Sequence, residues 1–119
     1  MTDSEPRRWA VTTSPYLPPG SDAPYYVIFD VDIHDVPRYV TYMEKVRPAL
    51  ERAGGRYLVR GGAYTVYEGT WQPHRLVLLE FPSREAWESF YHGPDYAGIK
   101  VVRDETSTVN AVGVEGLES

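Results

Sequence analysis

The chain has no cysteine. That excludes disulfides, a thiol nucleophile and cysteine-held zinc or iron–sulfur groups, and it suits a cytoplasmic protein. Lysine is scarce: of twelve basic residues only Lys45 and Lys100 are lysines, as expected of a GC-rich bacterial genome. No apolar run approaches the ~20 residues that cross a bilayer. Positive charge is in deficit too, with twelve Lys and Arg against seventeen Asp and Glu and a net charge of −5. A phosphate backbone would need the opposite footprint. Neither a membrane nor nucleic acid is expected as a partner.

What remains is enough for one domain, since 119 residues with 42% apolar content can build a single core. Residues 1–24 stand apart, with prolines at 6, 15, 18, 19 and 24 and no hydrophobic periodicity. Arg7 and Arg8 are not followed by the apolar segment of an export signal. This stretch reads as a flexible extension, or as an arm docking Trp9, Tyr16 and Leu17. The folded domain is expected over 25–116, with 117–119 as a tail.

Within the domain, "YYVIFDVDI" (25–33) is aromatic and β-branched, as a strand requires. Asp35 then caps a helix with Pro37 in its first turn, whose Tyr39, Met43, Val46 and Leu50 recur at helical spacing. Pro48 is expected to kink or weaken its last turn, and Gly54-Gly55 ends it. "RYLVR" is a second strand, with "AYTVYEG" expected to resume it beyond a bend at Gly61-Gly62. "RLVLLEF" (75–81) has the continuous apolar character of a central strand. Ser83 caps a helix bearing Trp87, Phe90 and Tyr91, "GPDYAGIKVVRDE" reads as a short helix, and "TVNAVGVEG" as the last strand. The order β-α-β-β-α-β is that of the ferredoxin-like α+β fold, a four-stranded antiparallel sheet with its helices on one face.

Such a sheet leaves one face without helices. Period-two alternation places Tyr26, Ile28 and Asp30, Leu58 and Arg60, Leu76, Leu78 and Glu80, and Asn110 and Val112 on it. This face is too apolar to meet water in a monomer, so a symmetric homodimer formed across it is expected.

The segments "YYVIFDVDIHDVPRYVTYMEKV", "GGRYLVRGG", "LEFPS", "FYHGPDY" and "VGVEG" resemble the domain-of-unknown-function 1330 family of the dimeric α/β barrel superfamily, from about Tyr25 to Gly116. The sequence departs from that family at His92-Gly93, where an Asn-Ser pair is commoner. The resemblance implies two ferredoxin-like units pairing their open sheet faces around small pockets. It implies no single activity, because the superfamily includes cofactor-free monooxygenases, muconolactone-type isomerases, haem-dependent enzymes and polyketide cyclases.

No phosphate loop is present, since Gly54-Gly55 enters a strand and Gly61-Gly62 lies between strand segments, neither leading into a helix N-terminus. Two carboxylates and a guanidinium, Asp30, Glu80 and Arg60, are expected to share the inward sheet face. There they could form a structural ion network, or an acid–base site in which a desolvated carboxylate gains basicity. His92 could add a titrating group beside Tyr91 and Tyr96, or could only cap a helix end. His34 and His74 read as surface residues, and the three histidines fit no metal spacing. Tyr26, Leu58, Leu78, Tyr91 and Tyr96 could line a pocket for a flat ligand, closed by Arg103 and Asn110. Tyr39 and Trp87 read as core.

Three readings stay open. One is a cofactor-free enzyme doing isomerase, cyclase or lyase chemistry on a small aromatic metabolite. A second is a non-catalytic binder of the same ligand. The third is an oxygen-using enzyme that relies on its substrate's electrons or recruits haem. The first is preferred, and no cofactor or metal is expected.

Overall fold

The structure, a computed structural model, describes residues 23–117. The Pro-rich extension with Trp9, Tyr16 and Leu17 lies outside the described residues except for Ala23 and Pro24, as does the tail beyond Leu117. The elements run β1 (Tyr25–Ile33), α1 (Val36–Arg52), β2 (Arg56–Arg60), β3 (Leu76–Phe81), α2 (Arg84–Tyr91), α3 (Pro94–Thr106) and β4 (Ser107–Glu115). Every neighbouring pair in the sheet is antiparallel, in the order β2-β3-β1-β4. This is the ferredoxin-like α+β arrangement.

Local chemistry explains the element ends. The Asp35 carboxylate accepts from the Arg38 amide at 3.3 Å at the start of α1, and the Ser83 hydroxyl accepts from the Ala86 amide at 3.1 Å at the start of α2. Pro94 occupies the first turn of α3, where its missing N–H costs nothing. Helix α1 continues through Pro48 to Arg52. Pro48 lies on the exposed side, where water can satisfy the carbonyl that the proline leaves unbonded.

Alternation along β1 and β3 holds as expected. Val27, Phe29 and Val31 of β1, with Val77, Leu79 and Phe81 of β3, are buried beneath the helices. Phe81 is wholly buried, and Trp87 meets it edge-on at 5.4 Å between ring centres. Full burial of a side chain of this size stabilises the fold by about 1.5–3 kcal/mol. The opposite face, carrying Ile28, Leu76, Leu78, Val112 and Val114, has no helix over it among the described residues, and Val112 is 59% and Val114 50% exposed.

Two expectations fail in the β2 region. The register of β2 against β3 runs Tyr57↔Leu79, then Val59↔Leu78 and Arg60↔Val77, so Leu58 is an extra residue in a bulge. The bulge inverts the parity of everything after it. Arg60 therefore faces the helices, not the open face shared by Asp30 and Glu80. Nor does "AYTVYEG" resume the strand: no residue from Gly61 to Arg75 belongs to one. Gly61, at φ +75°, turns the chain off the sheet edge, and the run that follows finds no partner strand among the described residues. It is tied back by the Tyr64 hydroxyl donating to the Pro73 carbonyl and by the Trp71 indole donating to Asp30.

Candidate functional site

The expected site divides between the two faces of the sheet. On the open face Asp30 pairs across the sheet with Asn110 and Leu76, Tyr26 with Glu80, and Leu78 with Ile28. Asp30 accepts from the His74 backbone amide at 2.8 Å and from Trp71 Nε1 at 3.0 Å, with His74 Nδ1 3.6 Å away. Burial pushes its carboxyl up, but these hydrogen bonds and the nearby imidazole outweigh burial and leave it below the ordinary carboxylate range. The gain in basicity expected from desolvation is therefore reversed. Asp30 holds the loop before β3 in place. Glu80 is taken by Arg56 at 2.5 Å, in the ion pair that Arg60 was expected to make. Leu58 sits 42% exposed at the bulge.

His92 stands at the C-terminal cap of α2, exposed, with its ring 3.5 Å from Glu88 and edge-on to Tyr91. Tyr91 stacks on Trp87 at 5.0 Å. Neither lines the space beneath the helices.

That space is a narrow cleft between the helix-covered face of the sheet and the helices, reaching into the core. Four tyrosines and three arginines line it: Tyr39, Tyr42, Tyr57 and Tyr96, with Arg60, Arg75 and Arg103. The remaining lining residues are apolar or aromatic, and none is acidic or a histidine. Tyr96 and Arg103 were expected at a pocket on the open face and instead belong here. Tyr39, read as core, also lines it.

The deep end is a hydrogen-bonded triad. Arg103, 6% exposed, donates from Nη1 to the Tyr96 hydroxyl at 3.1 Å, and the Tyr42 and Tyr96 hydroxyls lie 3.0 Å apart. Its guanidinium also lies near the rings of Phe29 and Tyr96, 5.8 and 6.0 Å from their centres. Asp104 takes Nε and Nη2 from outside the cleft and is itself shared with Lys100 at 2.7 Å. Burial raises the pKa of Tyr96 and pushes that of Tyr42 well above the ordinary phenol value, so both are neutral hydroxyls at neutral pH. One of their two protons makes the mutual bond, while Arg103 occupies an acceptor position on Tyr96. One O–H proton is left over from these contacts.

Toward the mouth, Arg75 lies over the Tyr39 ring at 5.8 Å and Arg60 over the Tyr57 ring at 5.1 Å. Burial raises the pKa of the Tyr39 hydroxyl, opposed by the charges of Arg75 and Arg103. The signal for Arg75 was present in the sequence, because the alternation that turns Val77 and Leu79 inward turns residue 75 inward too. Tyr42 and Tyr57 carried no comparable mark among ten tyrosines. Among the described residues no group of three or more His, Asp or Glu could hold a metal ion, and no helix is long and apolar enough to cross a membrane.

The family described as "Domain of unknown function (DUF1330)" matches residues 24–117. Among curated proteins none matches. Solved structures share the fold. One is RPA0582, a protein of unknown function from Rhodopseudomonas palustris, 18% identical, with a TM-score of 0.66 over 82% of this chain and 85% of that one. Another is SnoaB, a cofactor-independent oxygenase from Streptomyces nogalater, 8% identical, with a TM-score of 0.57 over 82% and 96%. At these identities the likeness is one of fold.

Proposed function

We propose that this chain, which belongs to the DUF1330 family, binds a planar aromatic metabolite in the cleft and holds its hydroxyl in the ionised form. The observation that carries this reading is the lining, which combines aromatic walls, three guanidiniums and no carboxylate. Ring faces suit a flat apolar body. A phenol or enol entering beside Arg103 meets a cation and a spare O–H donor, both of which favour its anion. No protein base is needed for that step if water takes the proton.

A site that stabilises an enolate or phenolate also lowers the barrier of reactions that pass through one. Isomerisation and cyclisation belong to that class, as does reaction with dioxygen drawing on the ligand's own electrons. Arg103, Tyr96 and Tyr42 take the stabilising role in this scheme. Asp30 and Glu80, on the other face of the sheet, do not reach the cleft. A holding role without turnover needs the same residues. Equilibrium dialysis separates the cleft reading from its failure: 2-naphthol should be retained more strongly than naphthalene, and equal retention would contradict the proposal.

The open sheet face supports a second copy of the chain as the partner. It joins Val112, Val114 and Leu58, all more than 40% exposed, to the half-buried Ile28, Leu76 and Leu78. A contiguous apolar patch of this kind marks an interface. Sedimentation equilibrium at micromolar concentration should give twice the chain mass, and Val112→Asp should lower it. A wild-type mass of one chain would refute the dimer.

A further inference from the structure

The two arginines toward the cleft mouth differ from most described arginines elsewhere, Arg52 at the exposed end of α1 being the exception. Arg38, Arg47, Arg56 and Arg84 each hold a glutamate within 4 Å. Arg60 and Arg75 have no carboxylate at that distance among the described residues, in a chain with seventeen acidic residues. Both are nonetheless held by neutral contacts. Arg60 lies over Tyr57, and Arg75 over Tyr39, with its Nη2 3.7 Å from the Met43 sulfur. Gly61 makes room for Arg75: a Cβ at position 61 would come within 2.6 Å of Arg75 Nε. Both guanidiniums line one cleft whose lining holds no anion, and a bound anion would offset their like charge.

From this arrangement we propose that the ligand is an aromatic acid, with a carboxylate received by Arg75 and Arg60 at the mouth and its hydroxyl at the Arg103 end. The inference rests on the cleft reading above and adds the second charge. Guanidinium matches carboxylate in a two-point, charge-assisted geometry. The ring system then spans the aromatic stretch between the two cationic ends, and neutral phenols become the poorer ligands.

The test compares 6-hydroxy-2-naphthoate with 2-naphthol by isothermal titration to the full-length chain at low and moderate salt. The carboxylate should strengthen binding by about tenfold or more, the factor expected of one charge-assisted contact, and added salt should shrink that ratio. Arg75→Gln should bring the ratio toward one, and Arg60→Gln, at the more exposed site, should lower it by a smaller factor. Circular dichroism would confirm that each variant is folded. If the two ligands bind the wild type equally, or if both folded variants keep the full ratio, the aromatic-acid inference is wrong while the cleft reading stands. If neither ligand binds, the cleft reading fails and this inference with it.

Discussion

Tyr96→Phe removes one oxygen from the deep end of the cleft and leaves the ring packing in place. That oxygen serves two neighbours, accepting from Arg103 at 3.1 Å and sharing a proton with Tyr42 at 3.0 Å. Tyr42 and Arg103 are 8% and 6% exposed, so water can reach the vacated position only through the cleft. A buried polar group that loses its partner costs about 1–3 kcal/mol. Arg103 keeps Asp104 through Nε and Nη2, so its share falls at the low end. The variant should therefore lose about 2–4 kcal/mol, a large part of the ~5–15 kcal/mol that stabilises a small domain. Tyr42→Phe should cost only about 1 kcal/mol, since Tyr96 still accepts from Arg103. The double variant no longer strands the Tyr42 hydroxyl, and should cost less than the two single changes added together. Urea unfolding at neutral pH, with slopes unchanged between variants, reads all three values. A Tyr96→Phe cost below about 0.5 kcal/mol, or strict additivity, would show that the triad is not a coupled network.

Two further outcomes follow from geometry. Gly61→Ala puts an L residue at φ +75° and a Cβ against Arg75. It should cost about 1–2 kcal/mol in unfolding experiments, and should weaken 6-hydroxy-2-naphthoate more than 2-naphthol. Asp30→Asn should destabilise the wild-type fold by about 1–2 kcal/mol at pH 7 through weakened charge-assisted bonds to His74 and Trp71. Because the folded carboxyl sits below its ordinary value, the Asp30 contribution is complete above about pH 4. It is lost as pH falls through the lowered value. The difference between wild type and variant should therefore shrink in acid, and a difference independent of pH would refute the assignment.

The sequence made the sheet legible because β1 and β3 alternate without interruption, so that Val27, Phe29 and Val31 could be assigned to one face by parity alone. The same reasoning failed at Arg60. A bulge adds one residue without any mark in "RYLVR", and one residue is enough to reverse a face. Arg56 then makes the ion pair with Glu80 that parity had given to Arg60. "AYTVYEG" has strand composition, yet pairing needs a neighbour and the chain leaves the sheet edge at Gly61. The candidate site was hidden for a related reason. Strand parity points to the face that a second copy would cover, whereas the cations gather under the helices, where Tyr96 and Arg103 of α3 meet Tyr42 of α1. That meeting depends on how two helices pack on a sheet, and no local pattern encodes it.

The central claim is that the cleft favours an anion, and the ionisation of a bound phenol tests it most directly. Absorbance of 2-naphthol titrated with pH, free and in the presence of saturating protein, reports where the naphtholate forms. A cation within about 4–6 Å lowers a neighbouring pKa by ~1–3 units. The bound phenol should therefore ionise at least about one unit below the free one, and Arg103→Met should remove most of that shift. A bound phenol that ionises at the same pH as the free one, or higher, would contradict the account.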